Sequence, residues 1–203
     1  MSEGFFGTLS PFQVIVSCIA LLTGAHTLYT LLAKPRLKIF LSDSIGLVVP
    51  PSEVTNKFHL GCNLVNPTAK VSTLHRLEAE VYDPQGDSRI FQWNIFFEYG
   101  PGGNVVQKTT DPYPLAVSPR NNLLQFVEFK AAEGVRIDSW PEGRYEFRLL
   151  GWANRPTRKS SPNVKAIFHI EIDQILSMCL GGTESDQNRV IRVPIVEWNP
   201  TKR

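Results

Sequence analysis

The chain opens with a long apolar stretch and then changes to alternating apolar and polar positions. Residues 11–33 contain no Asp, Glu, Lys or Arg. A helix of about 20 apolar residues crosses the ~30 Å hydrocarbon core of a bilayer. Ser10 and Pro11 suit the start of such a helix, because Ser caps free N–H groups and Pro fits the first turn. The pattern predicts a transmembrane helix over 11–33, preceded by a short tail of residues 1–10.

Four polar side chains share one face of this predicted helix at three- and four-residue spacing: Thr23, His26, Thr27 and Thr30. One interpretation is a contact with a second helix, either from a copy of this chain or from a partner. The other is a weakly amphipathic span whose polar groups bond to its own carbonyls. Both interpretations remain open from the sequence.

The same stretch lacks the features of a cleaved signal peptide. Such a peptide has a basic segment before the apolar one and a cleavage site of small residues. The first ten residues contain no Lys or Arg, and the Leu-Ala-Lys-Pro sequence at 32–35 is a poor cleavage site. We therefore expect an uncleaved, single-pass membrane protein.

Basic residues flank the predicted helix on one side only. Lys34, Arg36 and Lys38 follow it, and no Lys or Arg precedes it. Cytoplasmic flanks of membrane helices carry the excess of Lys and Arg. This asymmetry predicts that the N-terminus lies outside and the C-terminal domain lies in the cytoplasm.

Beyond residue 35 the period becomes two, which is typical of half-buried strands. Alternation is clearest at 36–41, 57–65 and 76–82, and further strands are predicted at 89–99, 123–130, 144–152, 166–172 and 190–198. Residues 173–180 are equally compatible with a short helix and with no regular element. Strands separated by turn sequences are typical of a β-sandwich. The length from 34 to 203 suits one such domain.

One segment of ten residues has a more specific pattern. Residues 140–149 read Trp-Pro-Glu-Gly-Arg-Tyr-Glu-Phe-Arg-Leu, which resembles a late strand of immunoglobulin-like and fibronectin-type domains. The resemblance implies an immunoglobulin-like β-sandwich in which Tyr145 lies at a corner between sheets. It also implies that Tyr145, Phe147 and Leu149 face the core. The Cys…Trp…Cys arrangement of antibody domains is absent, since Phe147 stands where the second Cys would be. A fold by itself does not assign a function.

Composition narrows the classes of partner. Lys plus Arg is 21 and Asp plus Glu is 19, so the net charge is only +2. Nucleic-acid-binding domains are usually strongly basic, and we expect no nucleic acid. Of the three cysteines, Cys62 and Cys179 lie in the domain. They either pair in an oxidising compartment or remain buried thiols.

No arrangement of residues predicts catalysis or a metal site. His59, Cys62 and His75 have the residue types of a zinc site, but His59 and Cys62 point to opposite faces of a regular strand. Glu78 and Glu80 share a strand face without a partner acid, base or nucleophile. We therefore expect no enzyme, no metal and no cofactor.

Two features suggest binding. The loop at 155–162 carries Arg155, Arg158 and Lys159, which suits anionic lipid headgroups, a nucleotide or an acidic partner, or simply a solvated loop. Large aromatic residues suggest either an interface or the core: Trp93, Phe96, Trp152 and Trp198.

The sequence thus predicts a membrane-anchored binding or scaffold module. Its partners would be the bilayer and either a different protein or a second copy of this chain. The alternative is a membrane-anchored sensor or effector that binds a small anionic ligand through the basic loop and oligomerises through its helix. Only Lys34 and Pro35 separate the predicted helix from the first predicted strand, so the domain would lie close to the membrane.

Overall fold

A computed structural model describes residues 10–49, 57–99, 106–131, 140–154, 160–181 and 189–199. Within these ranges there are two helices, α1 (Pro11–Leu32) and α2 (Gln174–Gly181). The strands are β1 (Lys38–Val49), β2 (Lys57–Asn66), β3 (Ser72–Tyr82), β4 (Ser88–Tyr99), β5 (Val106–Thr110), β6 (Leu115–Val117), β7 (Asn121–Ala131), β8 (Gly143–Ala153), β9 (Val164–Ile172), β10 (Arg189–Pro194) and β11 (Glu197–Asn199).

The N-terminal helix α1 begins at a reciprocal cap. The Ser10 hydroxyl accepts a hydrogen bond from the Gln13 N–H at 3.3 Å, and the Gln13 side chain accepts one from the Ser10 N–H at 2.9 Å. None of the helix residues is buried. The helix is long and apolar enough to cross a bilayer, a property that it shares with signal sequences.

The threonine hydroxyls of α1 are satisfied within the helix. Thr23 donates to the Ile19 carbonyl, Thr27 to the Thr23 carbonyl and Thr30 to the Thr27 carbonyl, each at 2.8 Å. These hydroxyls therefore need no second helix, which favours the interpretation of a weakly amphipathic span.

The strands form one curled antiparallel sheet in the order β10-β1-β2-β7-β4-β3-β8-β9-β11. The short strands β5 and β6 pair with β4 and β3. Two consecutive residues close the curl, because the Ile195 N–H donates to the Asp43 carbonyl of β1 at 2.9 Å and the Val196 N–H donates to the His169 carbonyl of β9 at 3.0 Å. The segment predicted as one strand at 190–198 is therefore two strands: β10 pairs with β1, and β11 pairs with β9. Neither β5 nor β6 was predicted, and the segment at 173–180 is helical, as α2.

The inward face of the sheet forms the core. Phe58, at the start of β2, stacks on Phe129 with ring centroids 4.7 Å apart and meets Phe147 of β8 edge-on at 5.3 Å. Tyr145, Phe147 and Leu149 are buried, as predicted. The Tyr145 hydroxyl also donates to the Pro141 carbonyl at 2.9 Å. The predicted β-rich domain after an apolar helix is thus confirmed.

Antiparallel pairing places the connections alternately at two ends of the sheet. Lys38 pairs with Val65, at the starting end of β1. The connections α1–β1, β2–β3, β6–β7 and β8–β9 lie at this end, which we call the anchor-side end; its described residues are 33–38, 66–71, 118–121, 154 and 160–163. The connections β1–β2, β3–β4, β7–β8 and β9–β10 lie at the opposite, distal end, whose described residues are 83–87, 140–142 and 173–181.

Candidate functional site: the basic anchor-side end

The described residues of the anchor-side end carry cations and no carboxylates. Its Lys and Arg side chains are all exposed and make no ion pair with any described residue: Lys34, Arg36, Lys38, Lys70 and Arg120. The described residues of the distal end have the opposite character. Its described connections hold four acidic side chains, Asp83, Asp87, Glu142 and Asp173, whereas the cations Lys57 and Lys130 at this end lie on the strand ends of β2 and β7. In this chain of nearly neutral net charge, the described connections at the two ends of the sheet therefore differ in charge.

A fully buried asparagine fixes the first pair of anchor-side loops. The Asn66 amide donates to the Lys70 carbonyl at 2.7 Å and to the Val117 carbonyl at 2.9 Å. Its carbonyl oxygen accepts the Thr68 N–H at 3.0 Å. The β2–β3 connection, which carries Lys70, is thereby held against the end of β6, just before the β6–β7 connection that carries Arg120.

A second asparagine ties the chain leaving α1 to the sheet. Asn154 donates from its amide to the Pro35 carbonyl at 3.3 Å and to the Ser72 hydroxyl at 2.9 Å. Its side-chain oxygen accepts the Thr73 N–H at 2.9 Å. The cationic α1–β1 connection is therefore attached to the starts of β3 and of the β8–β9 connection. Together the two asparagines make the anchor-side end one hydrogen-bonded platform.

Arg120 occupies an unfavourable backbone conformation. Its φ is +53°, a left-handed region where Gly and Asn are favoured over long side chains. The Arg120 N–H donates to the Thr68 carbonyl at 3.0 Å, which holds the turn in place. A cation is thus present at a position where local backbone energetics favour a different residue.

The predicted basic residues Arg155, Arg158 and Lys159 lie outside the described residues. The two residues that flank them, Asn154 and Ser160, belong to the anchor-side end. Lys34, Arg36 and Lys38, predicted from the positive-inside pattern, lie there too. The sequence pattern alone does not connect the basic loop with the basic residues that follow α1. It also does not indicate Lys70 and Arg120, because only strand pairing brings these two residues to the same end of the sheet.

The aromatic residues predicted as interface candidates are mainly covered. Phe96 is fully buried, so it contributes to the core in this structure. Trp93 packs edge-on against Phe96 at 5.6 Å, and Trp152 lies under the Arg76 guanidinium at 4.7 Å. Trp198 is half-buried, 5.7 Å from Phe40. A partner contact through the three tryptophans stays a prediction.

A buried ion cluster on the outward face of β2 and β7 was not predicted. Glu128 lies 3.2 Å from His59 and 3.2 Å from Lys57, and it accepts a 2.7 Å hydrogen bond from Asn94. Burial raises the pKa of the Glu128 carboxyl. The hydrogen bonds from His59 and Asn94 and the charge of Lys57 lower this pKa by more, so that it lies at about 2, below the ordinary value of 4.5. The His59 ring lies 4.4 Å from Phe97. His59 and Glu128 are 69 positions apart in sequence, so only strand pairing brings them together.

The two domain cysteines are free thiols in different environments. Cys62 is buried, and this burial raises the pKa of its thiol to about 12. Cys179 is exposed on α2. Among the described residues no group of three or more His, Cys, Asp or Glu side chains is arranged to hold a metal ion.

Comparison with known proteins gives only remote likenesses. Neither a family model nor a curated protein matches the sequence. Among solved structures, the ApaA protein of Bordetella pertussis aligns over 80% of this chain and 89% of its own, with 8% identity and a TM-score of 0.33. A late embryogenesis abundant protein aligns over 98% and 94%, with 8% identity and a TM-score of 0.31. A family 123 glycoside hydrolase of Clostridium perfringens aligns over 65% and 27%, with 9% identity and a TM-score of 0.31. Likenesses this weak assign neither a family nor a function to the chain.

Proposed function

We propose that this chain is a single-pass membrane protein whose β-domain acts as a non-catalytic binding or scaffold module at the membrane surface. The observation that carries the proposal is α1, a helix of 22 residues that buries none of them. A soluble domain gains nothing from such an exposed apolar helix, whereas a bilayer covers it completely. The N-terminus would lie outside and the domain in the cytoplasm.

The proposed domain architecture is an immunoglobulin-like β-sandwich. Two details support it. The β4 strand pairs with β3 before an irregularity at Trp93–Ile95 and with β5 after it, as in a strand that passes between two layers. The Tyr145 hydroxyl bonds to the carbonyl four residues upstream, as in the tyrosine corner of such domains.

The proposed partner is a protein or a second copy of the chain, held at the membrane by the short connection after α1. Residues 33–37 reach at most about 17 Å when extended. Partners must therefore lie at the membrane surface or within it, and this restriction is the main functional consequence of the anchor.

Membrane integration is tested with the full chain. Membranes from expressing cells are washed with alkaline carbonate, and the retained protein is measured by intact mass. We expect retention of the uncleaved chain. An Ile19→Arg variant should be retained less, because Arg at the centre of a helix costs about 3 kcal/mol on insertion. The matched control is Ile175→Arg, at an exposed apolar position of α2, which should leave retention unchanged.

Two results would contradict the anchor. The first is complete release of the wild-type chain by carbonate, and the second is a mass that shows loss of the apolar helix.

The alternative sensor function is tested by thermal unfolding in the presence of nucleotides and acidic metabolites. Stabilisation by one of them would favour that function over a scaffold.

A further inference from the structure

We propose that the anchor-side end docks onto anionic lipid headgroups of the membrane that α1 spans. This inference rests on the proposed membrane anchor and goes further, since it assigns a lipid class to a particular surface. The surface consists of the five exposed cations of the anchor-side end: Lys34, Arg36, Lys38, Lys70 and Arg120.

The short connection after α1 keeps the anchor-side end, and with it these cations, close to the bilayer. The Asn154 bonds to Pro35 and Ser72 attach the α1–β1 connection to the sheet at 3.3 Å and 2.9 Å. The loops that carry Lys70 and Arg120 lie at the same end of that sheet. Electrostatic attraction to an anionic leaflet acts over about one Debye length, ~8 Å at physiological ionic strength. A connection of five residues that is attached to the sheet therefore limits how far this end can move from the headgroups.

The arrangement of the cations suits a plane of charges better than a single soluble anion. The five side chains come from three separate connections and are all exposed. A site for one small anion would instead gather buried, convergent donors. The acidic connections of the distal end add to the preference, because an anionic surface attracts the cations of the anchor-side end and repels those carboxylates.

The platform is also rigid enough to present its charges together. Asn66 is fully buried and bonds to both loops around it. Arg120 keeps its cation at a φ of +53°, where Asn would be accommodated with less strain. A cation at a position where the backbone favours Asn suggests a role outside folding.

The test uses the full chain in nanodiscs with and without phosphatidylserine. Cys18 and Cys179 are replaced by Ser, and an environment-sensitive fluorophore is attached to Val71→Cys, an exposed position beside Lys70. A second reporter, Gln85→Cys, occupies the exposed distal turn. We expect a lipid-dependent shift at the first reporter with phosphatidylserine only, lost at high salt, and no shift at the second.

Charge variants identify the surface. Arg120→Asn should lower the docking constant about fivefold, which corresponds to about 1 kcal/mol for one cation near an anionic leaflet. Asn tolerates the left-handed backbone, so the variant should fold at least as well. Arg120→Lys should preserve docking, because it preserves the charge. Lys130→Gln removes an exposed cation near the distal end of β7, about 30 Å away along the strand, and should change nothing.

Three outcomes would overturn the proposal: an equal shift in neutral discs, a shift that Arg120→Asn leaves unchanged, or a saturable shift caused by inorganic phosphate in neutral discs. The last would identify a soluble anion as the ligand. Failure of the anchor is seen separately, as release by carbonate, so loss of lipid docking with a retained chain rejects only this inference.

Discussion

At the scale of single residues, buried polar groups hold together parts of the chain that are distant in sequence. Glu128 is almost fully buried, yet its carboxylate has His59, Lys57 and Asn94 around it. A buried carboxylate is tolerated when such partners replace its hydration. Asn66 plays the same role at the anchor-side end, with amide and carbonyl both satisfied.

The low pKa of Glu128 predicts a loss of stability in acid. Because its folded pKa, about 2, lies below the ordinary value of 4.5, the carboxylate stabilises the fold above pH 4.5 and loses this effect as pH falls toward 2. The contribution at neutral pH is about 3 kcal/mol. Urea unfolding followed by tryptophan fluorescence reports the domain alone, since all four tryptophans lie after α1.

The matched variants are Glu128→Gln and Glu98→Gln, the latter at an exposed position of β4. Glu128→Gln should be less stable than wild type at pH 7, and the difference should shrink as pH falls through 4 to 2. Glu98→Gln should follow wild type throughout. A Glu128→Gln difference that is constant with pH would show that the charge of Glu128 does not stabilise the fold.

At the scale of elements, the β3–β4 turn and the start of β8 approach each other closely at a glycine. Gly143 has a φ of +138°, and a Cβ there would lie 2.5 Å from Pro84 Cγ in the β3–β4 turn. Gly86, in that turn, has a φ of +91° with nothing within 4 Å of such a Cβ. Gly86 therefore has a positive φ without a clash, whereas Gly143 combines a larger positive φ with a clash.

We predict that Gly143→Ala destabilises the domain more than Gly86→Ala. The cost of a positive φ alone is about 1 kcal/mol. Gly143→Ala adds a steric overlap and should cost about 3 kcal/mol in total. Thermal and urea unfolding of the two variants measure both values. Equal losses would show that the β3–β4 turn moves away from β8 without cost.

At the scale of the whole molecule, the positive flank of α1 and the basic anchor-side end both favour the cytoplasmic side of a membrane. Cys179 provides a native reporter of sidedness, since it is exposed on α2 at the distal end. Cys62 is buried, with a thiol pKa raised to about 12, and α1 would hold Cys18 within the bilayer.

We therefore predict that a membrane-impermeant maleimide leaves the chain unlabelled in intact cells and labels it once after permeabilisation. Cys179→Ser should abolish that labelling, which identifies the reactive thiol. Labelling of Cys179 in intact cells would place the domain outside and reverse the predicted orientation.

Patterns that depend on neighbouring residues could be read from the sequence. The apolar run determined α1, because membrane-spanning length is a local property. Alternation predicted the strands at 36–41, 57–65 and 76–82, since side chains on a strand alternate with period two, and segments between turn sequences predicted five more. The buried side of β8, with Tyr145, was implied by the resemblance of residues 140–149 to a late strand of immunoglobulin-like domains.

Features that depend on which strands are neighbours were decided only by the tertiary structure. The Glu128 cluster, the division of 190–198 between β10 and β11, and the short strands β5 and β6 all arise from pairing across long separations in sequence. The same is true of the anchor-side end, where Lys70 and Arg120 join the cations that follow α1. The sequence by itself determined the apolar helix and the β-rich domain, whereas strand pairing alone decided that a chain of almost neutral net charge has one basic end, beside the helix.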